Sequence, residues 1–301
     1  MAAFPTETVY GLGAIAHDEK AVMRVFAIKG RPPSHPVIVH LAQVEGLERF
    51  AAAVPDAAWR LARRFWPGPL TLVLRRRPDV SSVITGGQDT VALRIPRHPI
   101  ARALIEACGE GLVGPSANRF GRVSPTTPHH VFHEFGTTVP VVDGGPCEVG
   151  IESTIIDLSG AQPRLLRPGL LDARDIEEVL GCELAASAAG APRVPGSLPA
   201  HYAPRTPVRL YPAGLLAAEA QRRLTEGERV AVLATGRVRV PGGCASYRLP
   251  VEREGFAREL YAALRQLDAA GCDVILAEMT PEDAEWSGIY DRLQRAASVA
   301  R

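Results

Sequence analysis

The sequence is poor in lysine, asparagine and cysteine. Of its 34 lysine and arginine residues only Lys20 and Lys29 are lysines, and Asn118 is the single asparagine in 301 residues. The five cysteines are scattered and include no CxxC pair, which argues against a disulfide framework and a structural zinc site. Because lysine and asparagine are so rare, the positions at which they occur are candidates for a specific function. The cysteine usage predicts a reducing, cytoplasmic location.

A strong excess of charge of one sign is also lacking. The formal net charge is +1 and is spread evenly along the chain, whereas a general polyanion binder shows a marked basic excess. No apolar run approaches the ~20 residues that span a bilayer, and the N-terminus does not have the pattern of a secretory signal. We therefore expect no stable nucleic-acid binding and no membrane segment, and any phosphate site must be local.

Two differently patterned segments flank a Pro/Ala/Gly-rich stretch near residues 185–207. This shift predicts a first domain over 1–187, an extended connector over 188–205 and a second domain over 206–301. The first segment mixes short apolar runs and helical stretches in an irregular order, which predicts a mixed α/β sheet. The second repeats strand–helix units, which predicts a small parallel, Rossmann-like sheet.

The predicted elements follow from hydrophobic periodicity. In the first domain the strands are predicted at 37–41, 70–74, 91–95, 139–142, 154–158 and 164–167, and the helices near 19–28, 56–65, 98–108, 128–135 and 172–180. In the second, the strand-like runs VRLY, VAVLA and DVILAE alternate with helical patterns at 214–225, 254–270 and 283–297.

Two patterns that resemble ligand motifs do not meet the requirements of those motifs. Gly11, Gly13 and Ala16 match GxGxxA, but few residues precede them and no acidic residue follows at the spacing of a ribose partner. The run HHVFHE at 129–134 does not match the HExxH zinc motif, and Pro128 before it is typical of a helix start. We expect neither a dinucleotide fingerprint nor a protein-bound metal here.

The step Lys29-Gly30-Arg31 has two interpretations. A cation in the last turn followed by glycine and prolines is typical of a helix C-terminus. Alternatively, a compact ammonium binds a phosphate oxygen as a point charge while a nearby arginine binds two oxygens. The rarity of lysine favours phosphate binding at Lys29, although Lys20 shows that lysine also occurs elsewhere.

Asn118 ends the sequence PSAN, which is typical of a turn. Because Asn118 is the only asparagine of the sequence, its side-chain amide also suggests a directed hydrogen bond. Loops rich in Ser, Thr and Gly recur at 6–8, 124–127 and 152–154, and the hydroxyl and backbone N–H groups of such loops can surround an anion.

Several motifs then occur in a familiar order. FPTETVYGLG, KGRP with VIVH, WPGPLTLVL, TVALRIPRHP, GPSAN with GRVSPTT, DGGPCEVGIESTIIDL and LLRPG resemble the YrdC-like family over most of residues 1–185. The connector HYAPRTP and the αβ tail resemble the two-domain members of that family, the threonylcarbamoyl-AMP synthases. The resemblance implies a mixed twisted sheet with helices around a concave anion-binding cavity, followed by the Rossmann-like accessory domain.

The resemblance also implies a reaction. L-threonine, bicarbonate and ATP, the last with Mg²⁺, give threonylcarbamoyl-adenylate and pyrophosphate, and a downstream machinery transfers the threonylcarbamoyl group to tRNA. The chain would then be a nucleotidyltransferase. Because every substrate is anionic, we expect the site to neutralise and align charges more than to act as a base.

Site residues are implied by the matching motifs. Residues near L-threonine would be Thr8, His40, Arg94, Ser116 and Ser153. Of these, Arg94 would bind the threonine carboxylate through two N–H groups. Lys29 and Arg31 would be catalytic and face the ATP phosphates. The other implied ATP-binding residues are His35, Thr90, Ser116, Asn118, Ser124, Arg167, His201 and Tyr202. The proline-stiffened connector that carries the last two is predicted to act as a lid.

Two departures from the family pattern matter. His35 stands where the family has asparagine before Pro-Leu, and an imidazole can still hydrogen-bond a phosphate. The chain also begins almost at FPTET, where relatives have a further helix and strand. Because an uncovered central strand would favour aggregation, we expect a misassigned start.

Two alternatives to this function remain open from the sequence. The same fold handles carbamoyl-adenylate chemistry in hydrogenase maturation, although that version sits in a longer chain with further domains. YrdC-like surfaces have also been linked to RNA, which suggests an RNA-binding or ribosome-assembly module. The near-neutral charge of both segments weighs against the RNA alternative.

Overall fold

The computed structural model describes residues 1–185, 190–198 and 201–298, which divide into two compact units. The first unit comprises Met1–Phe120, Pro125–Glu148 and Glu152–Ser197, and the second comprises Gly121–Ser124, Val149–Ile151 and Leu198–Arg301. The predicted boundary at 187/188 lies outside the described residues. Of the predicted connector, residues 190–197 belong to the first unit and residues 201–205 to the second.

The first unit is built on a mixed sheet. Its strands are β1 (Ala2–Phe4), β2 (Gly11–Ile15), β3 (Ile38–His40), β4 (Leu70–Arg75), β5 (Thr90–Arg94), β6 (Leu112–Val113), β7 (Thr154–Asp157) and β8 (Arg164–Arg167). They form one sheet in the order β1-β2-β6-β3-β5-β4-β7-β8. The pairs β3–β5 and β4–β7 are parallel and the other neighbouring pairs are antiparallel. The predicted mixed sheet is confirmed.

The helices of this unit are α1 (Glu19–Lys29), α2 (Leu47–Phe50), α3 (Asp56–Phe65), α4 (Ser82–Thr85), α5 (Pro99–Cys108), α6 (Pro128–Phe135) and α7 (Ala173–Leu180). The main core joins apolar residues of α1, α3, α6 and α7 to sheet residues such as Val39, Leu72 and Leu93. The Asp18 side chain accepts from Ala21 N at the start of α1, and Gly30 ends that helix at φ 64°. The capping chemistry predicted around KGR is therefore present.

The opposite face of the central strands carries a smaller apolar cluster. Ile38, Val73, Ala92 and Ile155 are buried beneath Val194, which is 3% exposed and comes from residues 190–197 of the predicted connector. Arg193 anchors this segment, because its backbone N–H donates to Gln88 Oε1 at 2.7 Å and its Nη2 to Gly86 O at 2.9 Å. This part of the connector is thus packed onto the first unit.

The prediction of a strand at 139–142 was wrong. The segment makes only an isolated bridge, with Ala3 N donating to Pro140 O and Val142 N to Ala3 O, at 2.8 and 2.9 Å. Pro140 has no N–H to continue a ladder. Strands β1, β2 and β6 were not predicted from the sequence, because β1 and β6 are very short and β2 reads GLGAI, with two glycines that lower strand propensity.

The glycines of the GxGxxA match lie in β2, and their role is to leave room for a ring. A Cβ on Gly13 would lie 2.9 Å from Phe4 Cδ1, and one on Gly11 would lie 3.1 Å from Phe4 Cζ. Phe4 itself is fully buried. The pattern therefore reflects close packing of β1 on β2.

The second unit contains a parallel sheet. Its strands are β9 (Val208–Tyr211), β10 (Val230–Thr235), β11 (Ala245–Leu249) and β12 (Val274–Glu278), and its helices are α8 (Ala213–Thr225), α9 (Arg253–Ala269) and α10 (Ser287–Ala297). All neighbouring strands are parallel, in the order β11-β10-β12-β9, which confirms the Rossmann-like prediction. β11 was missed because it is an edge strand with exposed polar residues. α10 begins at Ser287 rather than 283, since Trp286 N donates to Asp283 Oδ1 in a turn.

Across residues 1–185, 190–198 and 201–298, every helix is too short or too polar to cross a bilayer.

The packing of Val194 can be tested by Val194→Ala in the full chain. Removing two buried methyl groups should lower the free energy of unfolding by ~1–2 kcal/mol. Chemical denaturation followed by circular dichroism measures the change. Val251→Ala is the matched control, because Val251 is 37% exposed and should change stability by less than ~0.5 kcal/mol. Equal effects of the two substitutions would show that residues 190–197 do not add to the core.

Candidate active site

The face of the sheet beneath Val194 continues into a polar region. His40 pairs with Arg94 in the β3–β5 register, and Ile38 pairs with Ala92 two residues earlier. Because side chains alternate along a strand, His40 and Arg94 share the face of Ile38 and Ala92. Thr71, two residues before Val73 on β4, lies on the same face. The apolar cluster and this polar group are therefore neighbours on one surface.

Arg94 is the buried cation of this surface, at 3% exposure. Its Nη2 lies 2.8 Å from Glu7 Oε1, its Nη1 donates to Thr8 Oγ1 at 2.8 Å, and its Nε donates to Gly68 O at 3.2 Å. The other oxygen of Glu7 accepts from Arg97 N at 3.0 Å. A guanidinium has five N–H donors, so these contacts fix its plane and leave N–H groups for a ligand carboxylate.

His40 lies beside Arg94 and is almost fully buried. Burial, and then the nearby Arg94 guanidinium, lower the pKa of His40 to about 3, so the imidazole is neutral at physiological pH. Its ring packs edge to face on Phe4, with centroids 5.7 Å apart. A Cβ on Gly114 would lie 2.7 Å from both Nδ1 and Cε1 of the ring. Glycine at 114 therefore gives the imidazole its space.

Ser153 and Arg167 form a second polar group on this unit. Arg167 donates through Nε and Nη2 to Ser153 O, at 3.0 and 2.8 Å, and through Nη1 to Pro195 O at 2.9 Å. The Ser153 hydroxyl lies 2.7 Å from Thr71 Oγ1. Arg167 thus holds both the EST loop and the segment that carries Val194.

Lys29 is buried at 3% exposure at the C-terminus of α1. Its ammonium donates to the carbonyls of Ser116 and Asn118, so it fastens the PSAN loop to the helix. Burial, followed by the positive charge of Arg31, holds the pKa of Lys29 well below its usual range, while Glu134 acts in the opposite direction. An ammonium has three N–H donors, and two of them are used on the loop.

Arg31 lies two residues beyond, at 6% exposure. Its Nη2 donates to Pro36 O at 2.7 Å, and its guanidinium lies 5.5 Å from the centroid of the Phe120 ring. His35 packs edge to face on the same ring, with centroids 5.2 Å apart. Burial, and then Arg31 and Arg193, lower the pKa of His35. Lys29, Arg31 and Arg193 therefore form a local concentration of positive charge, as an anion site requires.

The remaining predicted residues are distributed between the two units. Thr90 is the first residue of β5, pairs with Arg75 of β4 and is 8% exposed. Ser124, His201 and Tyr202 are buried in the second unit. The first unit thus brings together Thr8, His40 and Arg94, then Lys29 with Ser116 and Asn118, and Arg31 with His35. The ligand roles of all these residues stay predictions.

Several residues of this site were not predicted from the sequence. Glu7 holds Arg94, Thr71 contacts Ser153, Gly114 makes room for His40, and Phe120 lies against Arg31. Glu7 had a detectable signal, since it is the only acid in the otherwise uncharged run FPTETVYGLG. The other three have partners that are distant in sequence, which no local pattern indicates.

No group of three His, Cys, Asp or Glu side chains suited to a metal occurs among the residues that the structure describes. The rings of His129 and His133 instead contact each other edge to face, with centroids 5.0 Å apart.

Two protein-family profiles together match almost all of the chain. The family profile described as "Telomere recombination", which covers Sua5, YciO and YrdC proteins, matches residues 1–169. The profile described as "Threonylcarbamoyl-AMP synthase, C-terminal domain" matches residues 171–298. The threonylcarbamoyl-AMP synthase of Pyrococcus abyssi is 42% identical, over 99% of this chain and 90% of the relative. That of Bacillus subtilis is 40% identical, over 98% of this chain and 88% of the relative.

The chain belongs to the threonylcarbamoyl-AMP synthase family. The predicted family and the prediction of an adenylate-forming enzyme are confirmed. A crystal structure of Pyrococcus abyssi Sua5 complexed with L-threonine is similar to this chain, with a TM-score of 0.92, 42% identity and coverage of 98% of this chain and 90% of that one. These near-full-length matches support the synthase function rather than either alternative from the sequence.

The neutral state of His40 predicts a pH dependence of stability. In the unfolded chain a histidine has a pKa near ~6.5, whereas the pKa of folded His40 is about 3. As the pH falls below ~6.5, His40 binds a proton in the unfolded chain but not in the folded chain. The free energy of unfolding should therefore fall by up to ~1.4 kcal/mol per pH unit. Denaturation of wild type and His40→Gln between pH 7 and about pH 4 measures the slope attributable to His40. Identical slopes in both proteins would show that His40 titrates alike in both states.

Proposed function

We propose that this chain condenses L-threonine, bicarbonate and ATP to threonylcarbamoyl-adenylate and pyrophosphate. The observation that carries the proposal is that the first unit of this threonylcarbamoyl-AMP synthase family member holds two groups of cationic side chains. One is the buried Arg94 with Thr8 and His40, and the other is the concentration of positive charge at Lys29, Arg31 and Arg193. The first suits a carboxylate and the second a triphosphate.

L-threonine would be bound by the Arg94 group. The guanidinium, held by Glu7 and Thr8, has N–H groups left for the substrate carboxylate. A neutral His40 can accept a hydrogen bond from the substrate amine or hydroxyl without adding a second positive charge. Ser153 and Ser116 would complete the pocket. The similarity to a structure that contains L-threonine supports this part of the proposal.

The chemistry then needs alignment and neutralisation. The threonine amine attacks the carbon of bicarbonate and water leaves, which gives a carbamate. A carbamate oxygen attacks the α-phosphorus of ATP in line, the bond to the β-phosphate bridging oxygen breaks, and pyrophosphate leaves. Negative charge grows on the leaving pyrophosphate, and fixed cations stabilise such a transition state more than the ground state.

ATP would be bound by the second group. Lys29 and Arg31 would act on its phosphates, with His35 and Arg193 close by and with Thr90, Ser116 and Asn118 lining the nucleotide. Arg167 would contribute by holding the Ser153 loop. The assignments of Ser124, His201 and Tyr202 to ATP rest on the family resemblance.

Mg²⁺ would arrive with ATP. The described side chains around Lys29 and Arg31 are mainly cationic, and the nearby Glu134 already accepts a hydrogen bond from Arg119 N at 3.2 Å. Mg²⁺ commonly binds substrate phosphates and keeps several waters. We therefore propose phosphate oxygens and water as its ligands, and the ion would supply further charge neutralisation.

The product would pass to the machinery that transfers the threonylcarbamoyl group to tRNA. Since tRNA modification uses this adenylate, we infer a cytoplasmic enzyme, and the five unpaired cysteines agree with a reducing compartment. The even charge distribution indicates that the chain does not hold tRNA stably itself.

The proposed function predicts release of pyrophosphate from ATP only when L-threonine and bicarbonate are both present. A coupled pyrophosphate assay, with each substrate omitted in turn, measures this dependence. L-serine should be the poorer substrate, because the lost methyl contact is worth ~1 kcal/mol. Release that is independent of threonine would contradict the proposal.

Lys29 gives a sharper test of the phosphate group. Lys29→Arg keeps the charge, but a planar guanidinium cannot replace a compact ammonium between the two loop carbonyls. We expect kcat/KM to fall by ~2 kcal/mol or more, roughly thirtyfold, and Lys29→Met to lose at least as much. Both variants should also melt at a lower temperature, since the carbonyls of Ser116 and Asn118 lose a buried donor.

Lys20→Arg is the matched control, because Lys20 is the other lysine and is exposed on the same helix. It should change neither activity nor melting temperature. A fully active Lys29→Arg enzyme would leave Lys29 only its role at the end of α1, where arginine serves equally well.

A further inference from the structure

Tyr10 ends the loop between β1 and β2 and is fully buried in the first unit. Its backbone N–H donates to Pro125 O at 2.9 Å, and its backbone carbonyl accepts from Ala117 N at 2.7 Å. Its hydroxyl donates to Gly145 O at 2.7 Å and accepts from Gly144 N at 3.1 Å. The backbone and the hydroxyl of Tyr10 therefore bind three different loops of one unit.

The hydroxyl of Tyr10 binds segment 143–148. Burial raises the pKa of Tyr10 to about 12, although the hydrogen bond from Gly144 acts in the opposite direction. The hydroxyl therefore keeps its proton at physiological pH and can donate and accept at the same time. Without the hydroxyl, Gly144 N would lose an acceptor and Gly145 O a donor, which is unfavourable for partly buried backbone groups.

Segment 143–148 packs behind the loop between β1 and β2. A Cβ on Gly144 would lie 2.5 Å from Pro5 Cγ and 2.8 Å from His98 Cε1, so the backbone at this glycine touches both side chains. Pro5 is the first residue of the loop. His98 directly follows Arg97, whose backbone N–H donates to Glu7 Oε2 at 3.0 Å. The segment that Tyr10 binds is thus in contact with the start of the loop and with the chain that holds Glu7.

The same loop carries the groups proposed for L-threonine. Thr8 Oγ1 accepts from Arg94 Nη1 at 2.8 Å, and Glu7 Oε1 lies 2.8 Å from Arg94 Nη2. Thr6 Oγ1 accepts from Thr8 N at 3.2 Å. These bonds determine the internal shape of the loop, while Tyr10 and segment 143–148 hold its two ends.

We propose that Tyr10 is a positioning residue for L-threonine, which acts through Thr8 and Arg94. Because Tyr10 is 0% exposed, it would act through these residues rather than contact the substrate. By holding segment 143–148 against Pro5, its hydroxyl keeps the loop in the orientation in which the Arg94 guanidinium can meet a carboxylate. The inference rests on the proposed function, and it adds a residue that the family motifs did not assign.

Tyr10→Phe tests the proposal in the full-length protein. The substitution removes one oxygen and keeps both the ring and the backbone contact with Ala117. We expect the affinity for L-threonine to fall about tenfold in calorimetric titration, as the loss of a buried hydrogen bond can cause. Affinity for ATP should stay within about twofold, since the change is distant from Lys29 and Arg31 in the contact network. In steady-state kinetics KM for threonine should rise while kcat changes little.

Gly144→Ala tests the same contact from the other side. It keeps the Tyr10 hydroxyl, but the new Cβ would lie 2.5 Å from Pro5 Cγ, so the start of the loop must shift. Affinity for L-threonine should fall at least as much as in Tyr10→Phe, and affinity for ATP should again be retained.

A stability control separates positioning from general destabilisation. Ile176→Val removes one methyl group from a fully buried side chain of α7 in the main core, and should lower the melting temperature of the first unit. The amides of Thr8 and Val9 both donate to Thr6 Oγ1, so their hydrogen exchange reports directly on the loop. Exchange of both amides should rise in Tyr10→Phe and stay unchanged in Ile176→Val, which should bind L-threonine normally.

Three outcomes would overturn the proposal. Unchanged threonine affinity in Tyr10→Phe would mean that the hydroxyl does not position the site, whether or not exchange of the loop rises. Equal losses in Ile176→Val and Tyr10→Phe would mean that only the stability of the unit matters. Equal losses of threonine and ATP affinity in Tyr10→Phe would mean a general distortion. Failure of the proposed function would appear separately, as wild-type protein that releases pyrophosphate without threonine.

Discussion

A guanidinium buried on the face of a β-sheet is the constraint on which the candidate site depends. Arg94 projects from the middle of the first unit at 3% exposure, and an uncompensated charge there would be strongly destabilising. Glu7, Thr8 and Gly68 O compensate it. Because Arg94 needs these partners, the loop between β1 and β2 is held against β5. The charges of the candidate site are therefore also contacts that stabilise the fold.

The same loop is fastened at its other end by Tyr10. Its hydroxyl donates to Gly145 O at 2.7 Å and accepts from Gly144 N at 3.1 Å, while Thr6 Oγ1 donates to Val9 O at 2.6 Å. A loop with its polar groups bonded inward is pre-organised, so a ligand at Thr8 or Arg94 would meet donors that need little reordering. The contacts that stabilise this loop in the fold are therefore also the ones that prepare it for a ligand.

Some cationic side chains of this molecule hold loops by donating to backbone carbonyls, and others form a cluster of positive charge around Arg31. Arg167, Arg265 and Arg295 donate to backbone carbonyls of loops, which the planar, multiply donating guanidinium does well. Lys29 also holds a loop, since its compact ammonium donates two of its three N–H groups to the carbonyls of Ser116 and Asn118. Burial, followed by repulsion from the nearby Arg31 guanidinium, lowers the pKa of both Lys29 and His35. An incoming polyanion would relieve that repulsion, which is a physical reason for such a cluster to bind triphosphate.

The sequence by itself determined the features that depend on neighbouring residues. The periodicity of α3 and α6 and the cap of α1 at Gly30 were predictable, because capping and amphipathic burial are local. So were the family motifs, and with them Lys29, Arg31 and Arg94 as candidates. Only the tertiary structure decided what these residues contact. Glu7 and Arg94 are 87 positions apart, Arg292 of α10 contacts Tyr202 of an irregular segment 90 positions earlier, and Val194 covers strands that are distant in sequence. Such pairings arise from packing free energy summed over the whole chain, and no local pattern carries them.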